Sequence, residues 1–395
     1  LATENEHIML APGDPVPWFN CDSTVNPRFF FPSVADKPIA VFFFGSLSTP
    51  VMAQLWEEYL AARPQFGARG FRIIGVSVDP RDRQHPRLIE ARQHFVTLWD
   101  MEMKVSALFG VAQRQAVPGA AAANWTYKPA LCLLDENLRV IDWIGLGDAK
   151  THVARALARI DAMPARPAPR LVEQCAPVLQ VPNVIDRQLC QQLIKTWEDE
   201  GNTESGYMER DAKGKLVGYI DHSRKRRRDH FLPQQSRLYE VLSHAVAQRI
   251  VPVVARAYHY EITRVERFCI ACYDGENGGG YFKAHRDFTG PESHRAFAMT
   301  INLNAEEYEG GHLVFPEFGP HLYRPGTGDA VLFSGYLMHE VQPVTRGRRF
   351  ALLSFFYGER EARVRDRYAQ THGTGHETLH GTPEYERLNA VGQGD

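Results

Sequence analysis

A histidine and an aspartate two residues apart are the clearest candidates for chemistry in this sequence. His285 and Asp287 lie at the end of a strand-like run, and residues i and i+2 of a strand share a face, so an imidazole and a carboxylate can point to one place. A second histidine, His339, follows 54 residues later. Two histidines and one carboxylate can hold one side of a metal ion and leave three positions open, a ligand set typical of non-haem Fe(II) sites. A His-x-Asp pair alone is more often an ordinary surface or core pair, so the surrounding sequence must decide.

An arginine opens the apolar strand that follows the second histidine. Arg349 lies ten residues after His339, and a guanidinium that is buried in such a strand needs a carboxylate partner. The guanidinium fork matches a carboxylate in a bidentate arrangement. Arg348 would point to the other face of the same strand, and the residues alone do not choose between the two arginines.

Short strands separated by glycine and proline surround these residues. Helices are predicted over 189–200 and 236–257, and strands over 265–273, 280–287, 296–304, 312–315, 329–334 and 349–357. A run of short strands at this spacing favours an antiparallel sandwich or barrel.

With these motifs in place, residues 170–360 resemble the prolyl 4-hydroxylase-like branch of the iron(II)- and 2-oxoglutarate-dependent dioxygenases. The shared motifs, in the order and spacing of that family, are Tyr273-Asp-Gly, His285-x-Asp287, Glu309-Gly-Gly-x-Leu-x-Phe315, Pro325-Gly-x-Gly-Asp329 and His339-x-Val-x-Pro-Val-x-x-Gly-x-Arg349. The resemblance implies a double-stranded β-helix, or jelly roll, with supporting helices before it. It also implies hydroxylation of an unactivated C–H bond, on a prolyl residue or an amino-acid-like small molecule, with release of succinate and CO2.

The resemblance assigns roles to individual residues. The three ligands of Fe(II) would be His285, Asp287 and His339. Arg349 would bind the distal carboxylate of 2-oxoglutarate, and family spacing alone favours it over Arg348. The candidates for a second hydrogen bond to this cosubstrate, each of which could equally be an ordinary strand residue, are Tyr273, Thr300 and Asn302. Dioxygen would be the other cosubstrate, and ascorbate is a candidate reductant.

The first half of the chain has an α/β pattern. Strands are predicted over 38–44, 72–78, 130–134 and 140–144, and helices over 51–62 and 88–95. Residues 10–148 resemble a peroxiredoxin or thioredoxin-fold domain. The motifs that carry this resemblance are Ala11-Pro-Gly-Asp-x-Val-Pro17, Gly75-Val-Ser-Val-Asp79, Phe109-Gly-Val111 and Lys128-Pro129-Ala130.

The nucleophile of that family is missing from its expected place. In peroxiredoxins a Thr-x-x-Cys turn opens the helix after the first long strand, and the helix N-terminus lowers the pKa of the cysteine. Here the turn ends in Met52, whose thioether cannot ionise, while Cys21 and Cys132 lie elsewhere. We therefore expect a non-catalytic thioredoxin-like domain that serves in recognition or homodimerisation, or a relic that only stabilises the chain.

Composition bounds the remaining possibilities. The 395 residues carry 45 Lys and Arg against 47 Asp and Glu, so no global basic field exists to recruit nucleic acid. No apolar run is long enough to span a bilayer, and no signal-peptide segment is apparent, so we expect a cytoplasmic protein without a membrane partner. Three prolines between 163 and 169 indicate a linker. The predicted organisation is a thioredoxin-like domain over 1–162, a linker over 163–174 and a dioxygenase domain over 175–395.

Cysteine usage does not suggest a disulfide scaffold. Six cysteines are spread over the chain, and Cys269 and Cys272, three apart in a strand, should point to opposite faces and act as small core residues.

Two functions are alternatives to the dioxygenase: a thiol peroxidase, and a non-catalytic sensing or binding protein.

A cluster of cations and a cluster of histidines lie outside the motifs described above. Residues 224–228 carry five adjacent cations, which predicts either a solvated loop or a flexible lid that closes when substrate binds, with Arg226, Arg227 and Arg228 as candidate substrate contacts. A tail with His372, His376 and His380 has the spacing of a helical metal cluster, but its glycines and threonines argue against a helix and favour a mobile tail.

Overall fold

The structure is a computed structural model of the chain. It describes residues 9–115, 124–164, 168–169, 171–172, 174–210, 216–276, 278–287, 294–372 and 378–380. The chain forms two compact units, residues 1–169 and 170–395. Within the described residues, no helix combines the length and the apolar character needed to cross a membrane.

The strands of the first unit are β1 (Asn20–Ser23), β2 (Phe29–Phe30), β3 (Ile39–Gly45), β4 (Arg72–Ser77), β5 (Val96–Trp99), β6 (Ala112–Gln115), β7 (Asn124–Tyr127), β8 (Ala130–Leu134) and β9 (Val140–Gly145). Seven of these strands form one sheet in the order β2-β1-β5-β4-β3-β8-β9. Its helices are α1 (Pro50–Ala68), α2 (Pro86–Ala91), α3 (Lys104–Leu108) and α4 (Ala149–Asp161). β3, β4 and β5 are parallel, whereas β8 and β9 are antiparallel to their neighbours.

The central strand β3 explains why this sheet is covered on both faces. All seven of its residues are buried. Phe42 and Phe44 pack on one face with α1 and α4, and Val41 and Phe43 pack on the other with Phe109. A strand that is buried on both faces is typical of a parallel α/β sheet. The predicted thioredoxin-like α/β fold is confirmed.

Local boundaries differ from the prediction in two places. α1 continues six residues past the predicted end at Ala62, through Pro64, to Ala68. The predicted helix over 88–95 ends at Ala91, and the chain then enters β5, a short strand that periodicity did not reveal. Strands of four residues are too short for a clear period.

The second unit contains two main sheets and several short ribbons. Its strands are β10 (Leu179–Val181), β11 (Thr203–Glu204), β12 (Tyr207–Arg210), β13 (Leu216–Ile220), β14 (Lys225–Arg226), β15 (Arg228–Phe231), β16 (Arg264–Asp274), β17 (Tyr281–His285), β18 (Phe297–Asn302), β19 (Glu309–Gly310), β20 (Leu313–Val314), β21 (Leu322–Tyr323), β22 (Ala330–Ser334), β23 (His339–Val341), β24 (Val344–Arg346), β25 (Arg348–Tyr357) and β26 (Thr378–His380). Its helices are α5 (Arg187–Asp199), α6 (Arg237–Arg249), α7 (Val251–Tyr258) and α8 (Glu359–His372).

The larger sheet has the order β10-β22-β18-β25-β16-β15-β11 and the smaller has the order β14-β17-β23-β20-β21. Side chains alternate along β16: Ile270 and Cys272 pack in the core formed with the helices, while Ala271 and Tyr273 pack with residues of the smaller sheet such as Val341. This arrangement of two sheets around a shared interior confirms the jelly-roll class. The described strands do not form a closed barrel.

One predicted helix is divided in two. The segment predicted as a helix over 236–257 forms α6 and α7, with the break at Ile250. Pro252 follows in the first turn of α7, where its missing N–H is tolerated, but a proline inside a continuous helix would remove a hydrogen bond.

The cysteine pair behaves as the strand pattern predicts. Cys269 and Cys272 are both buried in β16 and free, and only Cys272 belongs to the core under the helices. Burial raises the pKa of the Cys272 thiol to about 12 and raises that of Cys269 as well. Neither thiol is therefore disposed to act as a thiolate.

The histidine-rich tail is only partly described. His372 is the last residue of α8, so the prediction of a non-helical segment is wrong at that residue. His380 ends β26. His376 lies outside the described residues.

A buried histidine in the first unit generates a pH dependence. His152 is fully buried, its Nδ1 lies 2.7 Å from the Tyr59 hydroxyl, and its Nε2 lies 3.3 Å from the carbonyl of Ile144. Because a carbonyl can only accept, Nε2 carries the proton and Nδ1 accepts from Tyr59. Burial lowers the pKa of this imidazole below its usual value.

We expect the free energy of unfolding to fall as the pH drops below about 6.5, the ordinary histidine pKa. In that window the unfolded chain binds a proton that the folded chain excludes, and one such site changes stability by at most about 1.4 kcal/mol per pH unit. Urea denaturation of the full chain at pH 7.5 and 5.5 measures this. The His152→Gln variant should show a weaker pH dependence than the natural chain, and equal dependence in both would contradict the assignment.

Candidate metal and cosubstrate site

Two histidines face each other across the smaller sheet. β17 pairs with β23 so that His285 lies opposite His339, with ring centroids 4.3 Å apart. Asp287 follows the end of β17, and its Oδ1 and Oδ2 lie 3.8 Å and 3.5 Å from Nε2 of His285 and His339. One potential ligand atom from each residue lies within 4.8 Å of the others. Among the described residues, this is the one group of three such side chains that could hold a metal ion.

A β-bulge aims His285 at this point. The register pairs Phe282 with Val341 but His285 with His339, so a step of three residues on β17 opposes a step of two on β23. The extra residue turns His285 towards the side occupied by Phe282, and the two rings stack with centroids 3.4 Å apart. Bulges re-aim side chains in this way beside functional sites. Strict alternation, which underlies the sequence prediction, does not contain this feature.

Backbone carbonyls fix the tautomer of both imidazoles. Nδ1 of His285 lies 2.8 Å from the Lys283 carbonyl, and Nδ1 of His339 lies 3.0 Å from the Leu337 carbonyl. Since a carbonyl only accepts, each Nδ1 carries the proton and each Nε2 presents its lone pair. Burial, followed by the neighbouring His339, lowers the pKa of His285 well below its usual range. The neutral imidazole is the form that binds a metal.

An ion pair that the sequence analysis missed connects the segments carrying these ligands. Arg286, between His285 and Asp287, contacts Glu317 through both terminal nitrogens, at 2.6 Å and 3.2 Å. The same carboxylate accepts a hydrogen bond from the backbone N–H of Met338, the residue before His339. Because the pair is partly exposed, it contributes little to the free energy of unfolding, and its main effect is to align the segments that carry His285, Asp287 and His339.

Arg349 lies in the larger sheet and is only 2% exposed. Its Nη2 lies 3.4 Å from Oγ1 of Thr300 and 3.3 Å from Oδ1 of Asn302, and its guanidinium carbon lies 5.1 Å from the ring centroid of Tyr273. The Asn302 amide is fixed because its nitrogen donates to the carbonyl of Pro325 at 2.8 Å. The structure therefore brings Tyr273, Thr300 and Asn302 together around Arg349.

Two donors of this guanidinium lack partners. Nε and Nη1 of Arg349 are buried without a hydrogen-bond partner in the described part of the chain. Leaving a buried charged donor unpaired is costly, so this arrangement calls for an anion. An ionised carboxylate is a strong acceptor for guanidinium donors. Arg348 instead points away: it is 45% exposed and pairs with Glu198 at 2.8 Å.

The two halves of the site open onto one interior. Tyr273, which lies beside Arg349, belongs to the same buried cluster as Phe333 and Val341. Phe333 lies against His339, with ring centroids 4.6 Å apart. The guanidinium and the histidines thus contact one apolar cluster between the sheets.

The basic run is not a solvated loop. Lys225 and Arg226 form β14, and Arg228 begins β15. Lys225 is 5% exposed, and Arg227 pairs with the buried Asp229 at 2.6 Å. The prediction failed because the alternation of the strands buries every second cation beside internal partners. Arg228 faces outwards, where it donates to the Asn202 backbone carbonyl at 3.1 Å.

The first unit lacks a reactive thiol at the peroxiredoxin position. Met52 lies buried in the first turn of α1 and packs into the core. Burial, followed by the charge of Asp100, raises the pKa of the Cys21 thiol to about 12, and burial raises that of Cys132 well above its usual value. Neither thiol is activated as a nucleophile.

Comparisons with known proteins agree with both units. Residues 268–357 match the family model of the 2OG-Fe(II) oxygenase superfamily, and residues 12–143 match that of the AhpC/TSA family. A PKHD-type hydroxylase of Saccharophagus degradans is 30% identical over 195 residues, which cover 46% of this chain and 77% of that protein. A PKHD-type hydroxylase of Pseudomonas paraeruginosa is 37% identical over 95 residues, which cover 22% of this chain. The chain spans only 40% of the length of that second relative.

Solved structures resemble each unit separately. A Pseudomonas putida prolyl-4-hydroxylase covers 46% of this chain and 92% of its own, with 19% identity and a TM-score of 0.35. The peroxidoxin BcpB of Mycobacterium tuberculosis covers 39% of this chain and 99% of its own, with 22% identity and a TM-score of 0.34. From the family model and the relative in Saccharophagus degradans, the chain belongs to the 2OG-Fe(II) oxygenase superfamily, among the PKHD-type hydroxylases, and its first unit is similar to the AhpC/TSA family over residues 12–143.

Proposed function

We propose that the second unit is an Fe(II)- and 2-oxoglutarate-dependent dioxygenase that hydroxylates an unactivated C–H bond. The observation that carries the proposal is the convergence of His285, Asp287 and His339, whose ligand atoms lie within 4.8 Å of one another. Two imidazoles and one carboxylate suit Fe(II) and leave coordination positions open for a cosubstrate. The unpartnered donors of the buried Arg349 suit the carboxylate of 2-oxoglutarate.

Each of these side chains has a distinct role. His285 and His339 would bind the metal through Nε2, because their Nδ1 protons are donated to backbone carbonyls. Asp287 would supply the third ligand and one negative charge. When bound, Fe(II) would activate dioxygen, which is the oxidant: one oxygen atom converts 2-oxoglutarate to succinate and CO2, and the other enters the C–H bond of the substrate.

The larger sheet would position the cosubstrate. Arg349 would bind the distal carboxylate, with Thr300 and Asn302 holding its Nη2 so that Nε and Nη1 remain free to donate. The apolar residues between the sheets, including Phe333 and Val341, would exclude bulk water from the reacting centre.

The substrate proposed for this site is a prolyl residue in a peptide or an amino-acid-like small molecule. Support for the prolyl alternative comes from the relationship to PKHD-type hydroxylases. For the first unit we propose recognition or homodimerisation, because its core is retained although Met52 replaces the nucleophile. The same replacement, together with the raised thiol pKa values, argues against a thiol peroxidase.

The full chain with Fe(II) and ascorbate should convert 2-oxoglutarate to succinate, faster when the correct substrate is present. A panel of proline-containing peptides and free amino acids, with mass spectrometry for a gain of one oxygen atom, tests both the reaction and the substrate class. The same preparation should not reduce peroxide with a thiol donor. Peroxide reduction without succinate formation would reverse the proposal.

Replacing His339 by Ala should abolish iron-dependent turnover of 2-oxoglutarate and weaken binding of Fe(II), since one of three ligands is lost. Equilibrium dialysis against Fe(II) under anaerobic conditions measures the binding. His244→Ala is the matched control, because His244 is exposed on α6. Full turnover in the His339 variant would exclude the proposed metal site.

Replacing Arg349 by Gln should raise the 2-oxoglutarate requirement about ten- to hundredfold, or about 1.5–3 kcal/mol of charge-assisted hydrogen bonding. The KM for 2-oxoglutarate in the succinate assay measures the effect. Arg348→Gln is the control on the opposite face of β25 and should leave this KM unchanged. The reverse result would mean that the neighbouring arginine binds the cosubstrate.

A further inference from the structure

Three side chains on neighbouring strands of the larger sheet lie in a row that ends at Arg349, the proposed carboxylate-binding residue. β15 pairs with β16 so that Arg228 lies opposite Cys272, and β16 pairs with β25 so that Tyr273 lies opposite Arg349. Arg227 directly precedes β15 and therefore comes next to Tyr273. The order across the sheet is Arg227, Tyr273, Arg349.

Arg227 is held by a buried carboxylate. Its Nε and Nη2 donate to Oδ1 and Oδ2 of Asp229 at 2.7 Å and 2.6 Å, and the two side chains are 12% and 1% exposed. Burial alone would raise the pKa of the Asp229 carboxyl, but the charges of Arg227 and Lys225 hold it below its usual value. The bidentate pair fixes the plane of the guanidinium and leaves Nη1 for another acceptor.

That acceptor is the hydroxyl of Tyr273. Nη1 of Arg227 lies 3.3 Å from this oxygen, and the guanidinium carbons of Arg227 and Arg349 lie 5.8 Å and 5.1 Å from the centroid of the Tyr273 ring. Because a guanidinium can only donate, the phenol oxygen accepts, and the phenol's own proton is free to be donated elsewhere. Among the described residues, no acceptor of that proton is found, although Tyr273 is only 2% exposed.

We infer that Arg227 is a positioning residue that fixes Tyr273 as a hydrogen-bond donor to the carboxylate held by Arg349. Arg227 itself does not touch the cosubstrate; it occupies the acceptor side of the phenol and so directs the phenol proton to an oxyanion. The ligand is a carboxylate, and the inference rests on the proposed binding of 2-oxoglutarate. It gives the basic run a function that a solvated loop or a lid would not have.

A double-mutant cycle separates this role from a structural one. The variants are Arg227→Lys, Tyr273→Phe and the two combined, with Arg228→Lys as the matched control, since that arginine faces outwards and contacts Asn202. Lysine retains the cation beside Asp229 but cannot hold both carboxylate oxygens and the phenol at once. The readouts are kcat and KM for 2-oxoglutarate in succinate formation, and the anaerobic affinity of the Fe(II)-loaded chain for 2-oxoglutarate.

The expected result is a rise in KM of about five- to tenfold for each single variant, the effect of one weakened hydrogen bond. The combined variant should be no worse than Tyr273→Phe alone, because Arg227 acts only through the phenol. The kcat and the Fe(II) affinity should stay near the values of the natural chain, as should every parameter of Arg228→Lys.

Several outcomes would overturn the inference. Additive effects in the combined variant would show that Arg227 acts independently of Tyr273, and an unchanged KM in Arg227→Lys would show that it does not act at all. If Arg227→Lys does not fold, as judged by thermal denaturation, the neutral pair Arg227→Gln with Asp229→Asn replaces it in the cycle. A natural chain that neither binds nor turns over 2-oxoglutarate would instead reject the proposed function on which the inference rests.

Discussion

The pairing of β17 with β23 is the constraint on which the site depends. Antiparallel register places His285 opposite His339, and the bulge between Phe282 and His285 turns the first imidazole to the side where the second lies. Without the bulge, alternation would carry His285 to the face of Tyr281 and Lys283, away from the interior. The carbonyls of Lys283 and Leu337 then accept a hydrogen bond from Nδ1 of His285 and His339, which leaves Nε2 of each ring available as a ligand. The geometry of the candidate metal site is therefore set by a strand pair more than by any single residue.

Electrostatics in the interior is the second constraint. Lys225 and Arg349 are buried, the Arg227 side chain is 12% exposed, and Asp229 is the carboxylate paired with Arg227. Lys225 donates to Oγ of Ser205 and lies 4.6 Å from the ring centroid of Phe282, and burial lowers its pKa to about 7. An interior with unpartnered guanidinium donors favours an anionic ligand, and binding such a ligand would remove the desolvation cost of those donors.

The first unit combines a thioredoxin-like fold with Met52 at the position where a peroxiredoxin has its nucleophilic cysteine. The sheet is specified by many apolar residues, such as the alternating phenylalanines of β3, which fill both faces. The nucleophile of a peroxiredoxin, by contrast, is one residue in one turn. Met52 is buried at the start of α1 and contributes to the core, so this position supplies packing but no ionisable thiol.

The sequence by itself predicted the two fold classes and the three candidate metal ligands from residue types and spacings, whereas the choice of Arg349 over Arg348 came only from the spacing of the family that it resembles. It also separated Cys269 from Cys272, because strand alternation is a local property. Predictions from the sequence were wrong where residues distant in the chain become partners. The sequence around 225 and 227 predicts solvated cations, but in the structure β15 pairs with β16 and Asp229 forms an ion pair with Arg227. The bulge in β17, the ion pair of Arg286 with Glu317 and the row from Arg227 to Arg349 all join residues that are distant in sequence, so only the tertiary structure decided them.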